Sequence, residues 1–202
     1  MALDFAVVDI ETTGLYPNRH KITEISAIRY HNKKIKEEYT TLVNPETHIP
    51  AFITSLTGIT DLMVKDAPTI DKVMPGFTEF LGDKTFVGHN AGFDMKFLDY
   101  NSMKHLKKGI ENPVLCTCKL ARRLVPYLYS KKLGVVSKHL GIENPNAHRA
   151  RADALTTTQV LERFLAMLEK RGLTEHQDIL NFQKAKIPKL SYIREVYLDY
   201  KY

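Results

Sequence analysis

The chain is expected to be an α/β protein with a five-stranded mixed sheet flanked by helices. Three observations predict it: strand-like and helix-like segments alternate along most of the 202 residues, the first three strand-like segments follow one another with only short turns, and a long amphipathic segment lies over 150–170. Phe5 to Ile10 is a short apolar run bounded by acidic residues and reads as a buried strand. Ile22 to Tyr30 and Ile35 to Val43 are rich in β-branched residues, and the HNKK turn between them predicts a hairpin, so the first three strands form an antiparallel meander with strand one central. HIPAFITSLTGIT, after Asn44-Pro45, reads as a loop-rich segment.

Further along, Ile70, Val73, Phe77, Phe80 and Leu81 recur at helical spacing and predict a helix over 69–81, stopped at Gly82-Asp83. Thr85 to Val87 is a short strand, Ala91 to His105 a helix, and Val114 to Cys116 the fifth strand. Lys119 to Leu124 and Val135 to Leu140 follow as short helices. A long helix over 150–170 buries Leu161, Phe164, Leu165 and Leu168 and ends at Lys170-Arg171-Gly172. Residues 1–172 form one domain in this reading. Residues 173–202 are a C-terminal extension, a short helix with Thr174 and Gln177 as its capping box plus an aromatic-rich tail, and not an independent domain. The last stretch, SYIREVYLDYKY, fits a helix face or a strand equally well.

Composition narrows the functional classes. No apolar run is long enough to span a bilayer and the start is acidic, so neither a membrane protein nor a secretory leader is expected. Cys116 and Cys118 have neither a second pair nor zinc-finger spacing, and a reducing, cytoplasmic location is expected. Net charge is +6, but residues 1–100 carry 10 basic and 14 acidic side chains while residues 101–202 carry 19 and 9. The basic half, with its clusters Lys104, Lys107, Lys108; Lys119, Arg122, Arg123; Lys131, Lys132, Lys138; and Arg149, Arg151, suits a phosphate backbone.

The chemistry is carried by Asp9 and Glu11 in VVDIETTGL, Asp94 in FVGHNAGFDMKFL, and His148 and Asp153 in HRARADALTT. Asp9 and Glu11 are two apart on a strand and share a face, where two buried carboxylates repel unless a cation compensates. Hard, oxygen-seeking Mg²⁺ or Mn²⁺ is the expected counter-ion. Asp94 follows the Gly88-His89-Asn90-Ala91-Gly92 turn at a helix start, where an anion is tolerated. His148 and Asp153 would stand about 140° apart around one continuous helix. His148 is therefore placed on a loop after Asn144-Pro145-Asn146 and Asp153 in the first helical turn. An imidazole titrating near neutrality suits proton abstraction from an attacking water. His89, His105 and His139 read as surface residues.

Taken together, Asp-x-Glu-Thr-Thr-Gly, His-Asn-x-x-Phe-Asp and His-x₄-Asp resemble the DEDDh branch of the DnaQ-like 3′–5′ exonucleases over about residues 4–170. LTGITDLMVKDAPT and NAGFDMKFL are similar to stretches of the epsilon proofreading subunit of bacterial DNA polymerase III and the PolC exonuclease domain. The resemblance implies an RNase H-like fold and metal-dependent hydrolysis with two divalent cations, Mg²⁺ or Mn²⁺. Asp9, Glu11, Asp94 and Asp153 would be the ligands and His148 the general base. It implies contacts to the terminal nucleotide from Ile10, Thr12, Thr13, Leu15 and Asn90. It also implies a single-stranded DNA 3′ end as substrate, nucleoside 5′-monophosphates as products, and a DNA polymerase or other replication or repair partner. Thr57 stands where several epsilon-type members have a histidine. RNA trimming is the alternative activity, and a non-catalytic nucleic-acid-binding module the alternative class.

Overall fold

The computed structural model describes residues 3–187. Its elements run β1 (Asp4–Thr12), β2 (Ile22–His31), β3 (Lys34–Leu42), α1 (Ala51–Thr57), α2 (Asp61–Val64), α3 (Ile70–Leu81), β4 (Thr85–Gly88), α4 (Gly92–Leu106), β5 (Val114–Cys116), α5 (Thr117–Leu124), α6 (Leu133–His139), α7 (Ala150–Glu169) and α8 (His176–Phe182). The sheet order is β3-β2-β1-β4-β5, with β1 central. The β1–β2 and β2–β3 pairs are antiparallel, and the β1–β4 and β4–β5 pairs parallel. This is the expected five-stranded mixed sheet of an RNase H-like fold. Asn32 and Lys33 both adopt positive φ, as a two-residue turn matching the twist of its strands requires.

Alternation along β1 builds two cores. Phe5 and Val7 face one side, where they pack with Ile28, Leu120, Val136, Leu161, Phe164 and Leu168, so that α5, α6 and α7 cover that face. Ala6, Val8 and Ile10 face the other, against Val73, Met74 and Phe77 of α3 and Phe97 and Leu98 of α4. Each large side chain fully buried in this way stabilises by about 1.5–3 kcal/mol. Asp9 and Glu11 continue the parity of Phe5 and Val7 and so stand on the α7 side.

Beyond Val7 the parallel pairing with β4 stops, since Phe5, Ala6 and Val7 are the residues of β1 with partners on β4. The outer half of β1 therefore projects past β4, and the turn that follows β4 folds into the space. Gly88 permits this close approach, because a Cβ at this position would lie 3.0 Å from the Ala91 Cα and 3.1 Å from its Cβ, tighter than ordinary contact. Asn90 closes the turn at φ 73°, a left-handed conformation that asparagine tolerates.

Two expectations are corrected. The segment read as loop-rich, residues 48–60, contains α1, and α2 follows it beyond the turn at Gly58, which adopts φ 72°. Ile49, Ile53, Ile59 and Val64 bury a small satellite core there, which supplies the stability that such short helices lack alone. The capping box at Thr174 is absent, because Glu175 occupies the cap of α8 and makes no side-chain cap bond. Arg149 and Arg151, one of the expected basic clusters, are ion-paired with Glu24 and Glu38.

Residues 173–187 pack on the body of the fold through Ile179 and Leu180. Pro188 and the SYIREVYLDYKY segment lie outside the described residues. Among those described, no helix is long and apolar enough to cross a membrane. The edge of β5 is closed by a side-chain amide: Gln183 Oε1 accepts the Cys116 N–H at 3.0 Å and its Nε2 donates to the Val114 carbonyl at 2.6 Å. Gln183→Leu would orphan one backbone donor and one acceptor, and we expect chemical denaturation to show a loss of roughly 2–4 kcal/mol. A loss below about 0.5 kcal/mol would mean that the amide does not close the edge.

Candidate active site

One carboxylate oxygen each from Asp9, Glu11 and Asp153 falls within 4.8 Å of the others, a separation that one small cation can bridge. Asp9 and Glu11 are fixed by the central strand, and α7 lowers Asp153 onto the same face from its first turn. Asp94 arrives from the opposite layer. It is 4% exposed, and its Oδ1 accepts the Ile10 N–H at 3.2 Å. That amide lies in the part of β1 that projects past β4, so Asp94 supplies the missing acceptor and is tied between the two strand carboxylates.

The Asp153 carboxylate is oriented by the loop before α7. Its Oδ1 accepts from Asn144 Nδ2 at 2.5 Å and its Oδ2 from the His148 N–H at 3.1 Å. Each oxygen has a second lone pair left for a cation. His148 itself is exposed, at φ 66°, on the rim of a cavity of about 1330 Å³ whose lining includes His89, Asn90, Lys132, Lys138 and Asp153. The structure thus gathers Asp9, Glu11, Asp94 and Asp153 tightly and places His148 beside them on the surface.

Electrostatically the cluster is uncompensated. Burial, followed by repulsion from Asp94, Asp153, Glu11 and Glu24, raises the Asp9 carboxyl well above its ordinary range. Glu11 is pushed up to about 8 by burial and by Asp153, Glu24 and Asp94, with Arg149 pulling weakly the other way. Asp94 is raised to about 7 by burial, although the Ile10 N–H opposes the shift. Three acids raised above their ordinary range in one set of hard oxygen donors form a site that fits a divalent metal ion.

The other predicted contact residues divide. Ile10 is buried in the core. Thr12 and Thr13 are buried, with Thr12 Oγ1 donating to the Gly14 carbonyl at 2.6 Å and Thr13 Oγ1 accepting the Lys21 N–H at 2.9 Å. These hydroxyls close the loop after β1. Leu15 is 69% exposed at the tip of that loop, and Asn90 is exposed on the cavity wall.

Sequence reading missed Glu24, Asn144 and His89. Glu24 could have been found as the lone charge inside the apolar run ITEISAI, because a charge there needs a partner. His89 is not a surface residue. It is half-buried, joining Thr117 Oγ1 at 2.9 Å to the Lys131 carbonyl at 2.7 Å, and burial lowers its imidazole pKa. His105 is likewise half-buried.

The sequence matches the RNase_T exonuclease family model over residues 6–161. It is 45% identical over 159 residues to the PolC-type DNA polymerase III of Clostridium perfringens, covering 79% of this chain and 11% of that protein. It is also 36% identical over 183 residues to the DNA polymerase III epsilon subunit of Aquifex aeolicus, covering 90% of this chain and 91% of the relative. Among solved structures, Exonuclease X in complex with 5′ overhanging duplex DNA superposes with a TM-score of 0.71 at 27% identity, covering 89% of this chain and 99% of that one. With the match spanning all five strands and the carboxylate cluster, the chain belongs to the exonuclease family that includes the DNA polymerase III epsilon subunit and the PolC exonuclease region.

Proposed function

We propose that this exonuclease-family protein is a DEDDh-type, metal-dependent 3′–5′ exonuclease that removes nucleoside 5′-monophosphates from single-stranded or frayed DNA 3′ ends. The observation that carries the reading is the convergence of Asp9, Glu11 and Asp153 within 4.8 Å, with Asp94 tied to the strand between them. Asp9, Glu11 and Asp153 would hold two Mg²⁺ or Mn²⁺ ions, with Asp94 completing the set. When bound, the ions supply electrophilic stabilisation of the phosphoryl oxygens and the leaving 3′-oxygen.

The protein's own groups supply the rest. His148, on the cavity rim, takes the proton of the attacking water through its imidazole, and its surface position gives that proton a route to solvent. Lys132 and Lys138 on the cavity wall attract the strand, and exposed Leu15 offers an apolar contact for the terminal bases. The buried Thr12 and Thr13 hydroxyls hold the loop that presents Leu15. Work in proofreading or repair, in the cytoplasm and alongside a DNA polymerase, accords with the named relatives, an epsilon subunit and PolC-type polymerases.

On a single-stranded DNA substrate with Mg²⁺, Asp9→Ala is expected to remove hydrolysis while the chain stays folded. His148→Ala is expected to lower turnover by about 10²–10⁴-fold at unchanged protein stability. Undiminished turnover by His148→Ala would reject the assigned base. Parallel assays on matched DNA and RNA 3′ overhangs decide the substrate, and a strong preference for RNA would reject the DNA reading.

The acid cluster also predicts an inverted pH dependence of stability in the metal-free protein. Asp94 and Glu11 bind protons more tightly folded than unfolded, so their contribution is complete below about pH 4 and is lost as pH rises through about 7 to 8. Thermal melts in EDTA should therefore fall between about pH 5 and pH 8.5, and Mn²⁺ should restore the midpoint. Asp9→Asn should raise the EDTA midpoint at pH 8 by about 2–4 °C for each kcal/mol of repulsion relieved. A midpoint independent of pH across that window would contradict the assigned repulsion.

A further inference from the structure

Glu24 is a buried carboxylate that the metal-binding set does not use. It lies on β2 directly opposite Glu11, is 2% exposed, and is not among the three acids whose oxygens converge. Its oxygens are taken by a different task. Oε1 accepts from Arg149 Nη2 at 2.7 Å, while Oε2 accepts from Arg149 Nε at 3.1 Å and from the Ala150 N–H at 2.9 Å. This is a two-pronged guanidinium–carboxylate pair with a backbone amide added, the strongest arrangement those groups can make.

The amide is the first of α7. Arg149 is the residue that precedes the helix and offers it no side-chain cap, so the orphan donor at the helix start is satisfied from across the sheet. The pinned pair lies between the two functional residues of this segment. On one side is His148 with its left-handed backbone. On the other, the Asp153 N–H bonds the Arg149 carbonyl at 3.0 Å within the first helical turn. A shift of the helix start by an ångström would carry Asp153 away from Asp9 and Glu11 by a similar distance.

We propose that Glu24 and Arg149 are positioning residues: their pair fixes the first turn of α7 against β2, which keeps Asp153 at ligand distance from Asp9 and Glu11 and gives the His148 loop a fixed end. Arg149 is thereby assigned to the fold and not to substrate phosphate. The kinetic part of this inference rests on the exonuclease reading, whereas the metal part does not.

The test uses the full chain with Glu24→Gln, which places amide hydrogens against the guanidinium, and Arg149→Lys, which keeps the charge without the planar fork. Thermal melts check folding, titration calorimetry with Mn²⁺ alone reads the metal site, and kcat and KM are measured on single-stranded DNA at saturating Mn²⁺. In folded Glu24→Gln, Mn²⁺ affinity is expected to fall about tenfold and kcat about 10–100-fold, as for other groups that orient metal ligands, with KM held within about threefold. Arg149→Lys should show smaller losses of the same kind, and it decides the matter should Glu24→Gln not fold. Wild-type Mn²⁺ affinity and kcat in a folded variant overturn the proposal. A raised KM in Arg149→Lys with unchanged kcat and Mn²⁺ affinity also overturns it, in favour of direct phosphate contact. If the wild-type protein cleaves neither DNA nor RNA, the exonuclease reading fails and the Mn²⁺ comparison alone judges the clamp.

Discussion

Mutual repulsion among Asp9, Glu11, Asp94 and Asp153 is the constraint around which this structure is arranged. Each of these groups would be more comfortable in water, and together they oppose folding whenever they are ionised and unaccompanied. The fold overrides that tendency by fixing each carboxylate with backbone. Asp9 and Glu11 belong to the central strand and pair with Ser26 and Glu24 of β2, Asp94 is bound to the Ile10 amide, and Asp153 lies in the first turn of α7. Rigid like charges of this kind are relieved by protons or by a cation, and a cation that binds them recovers the energetic cost of assembling the site.

Charge is distributed along the chain to the same end. The acidic first half supplies the strand carboxylates and the basic second half the cavity wall. Some of those cations are used internally: Arg149 pairs with Glu24, Arg151 with Glu38, and the Lys131 ammonium bonds the Pro126 and Leu128 carbonyls. Arg123 likewise donates to the Ala185 and Lys119 carbonyls. Lys132 and Lys138 remain on the wall beside His148 and Asp153. The basic surface left free is accordingly narrower than the charge count suggests.

How much of this could be read in advance depended on range. The meander, the 3.6-residue period of α3 and α7 and the three acid motifs are local patterns, and they appear where the sequence placed them. The loop-rich reading of 48–60 overlooks α1 because a helix of seven residues holds too few apolar positions to display a period, and its stability comes from Ile49, Ile53, Ile59 and Val64 packing together. Glu24 announced itself as a charge in an apolar strand, but its partner is 125 residues away and could not be named from spacing. For the same reason Arg149 looked like a surface cation, and the engagement of Asn144 with Asp153 had no local sign at all. Leu15 stands out in the structure as an exposed apolar side chain, a fact that a motif alone does not contain.

The central claim, that this carboxylate cluster is a divalent-metal site, is tested most directly by anomalous diffraction from crystals of the full chain soaked in Mn²⁺. The account requires anomalous peaks bounded by the Asp9, Glu11 and Asp153 carboxylates, with Asp94 adjacent, and their loss in Asp9→Ala crystals. An empty cluster at saturating Mn²⁺, or peaks confined to other parts of the surface, would contradict it.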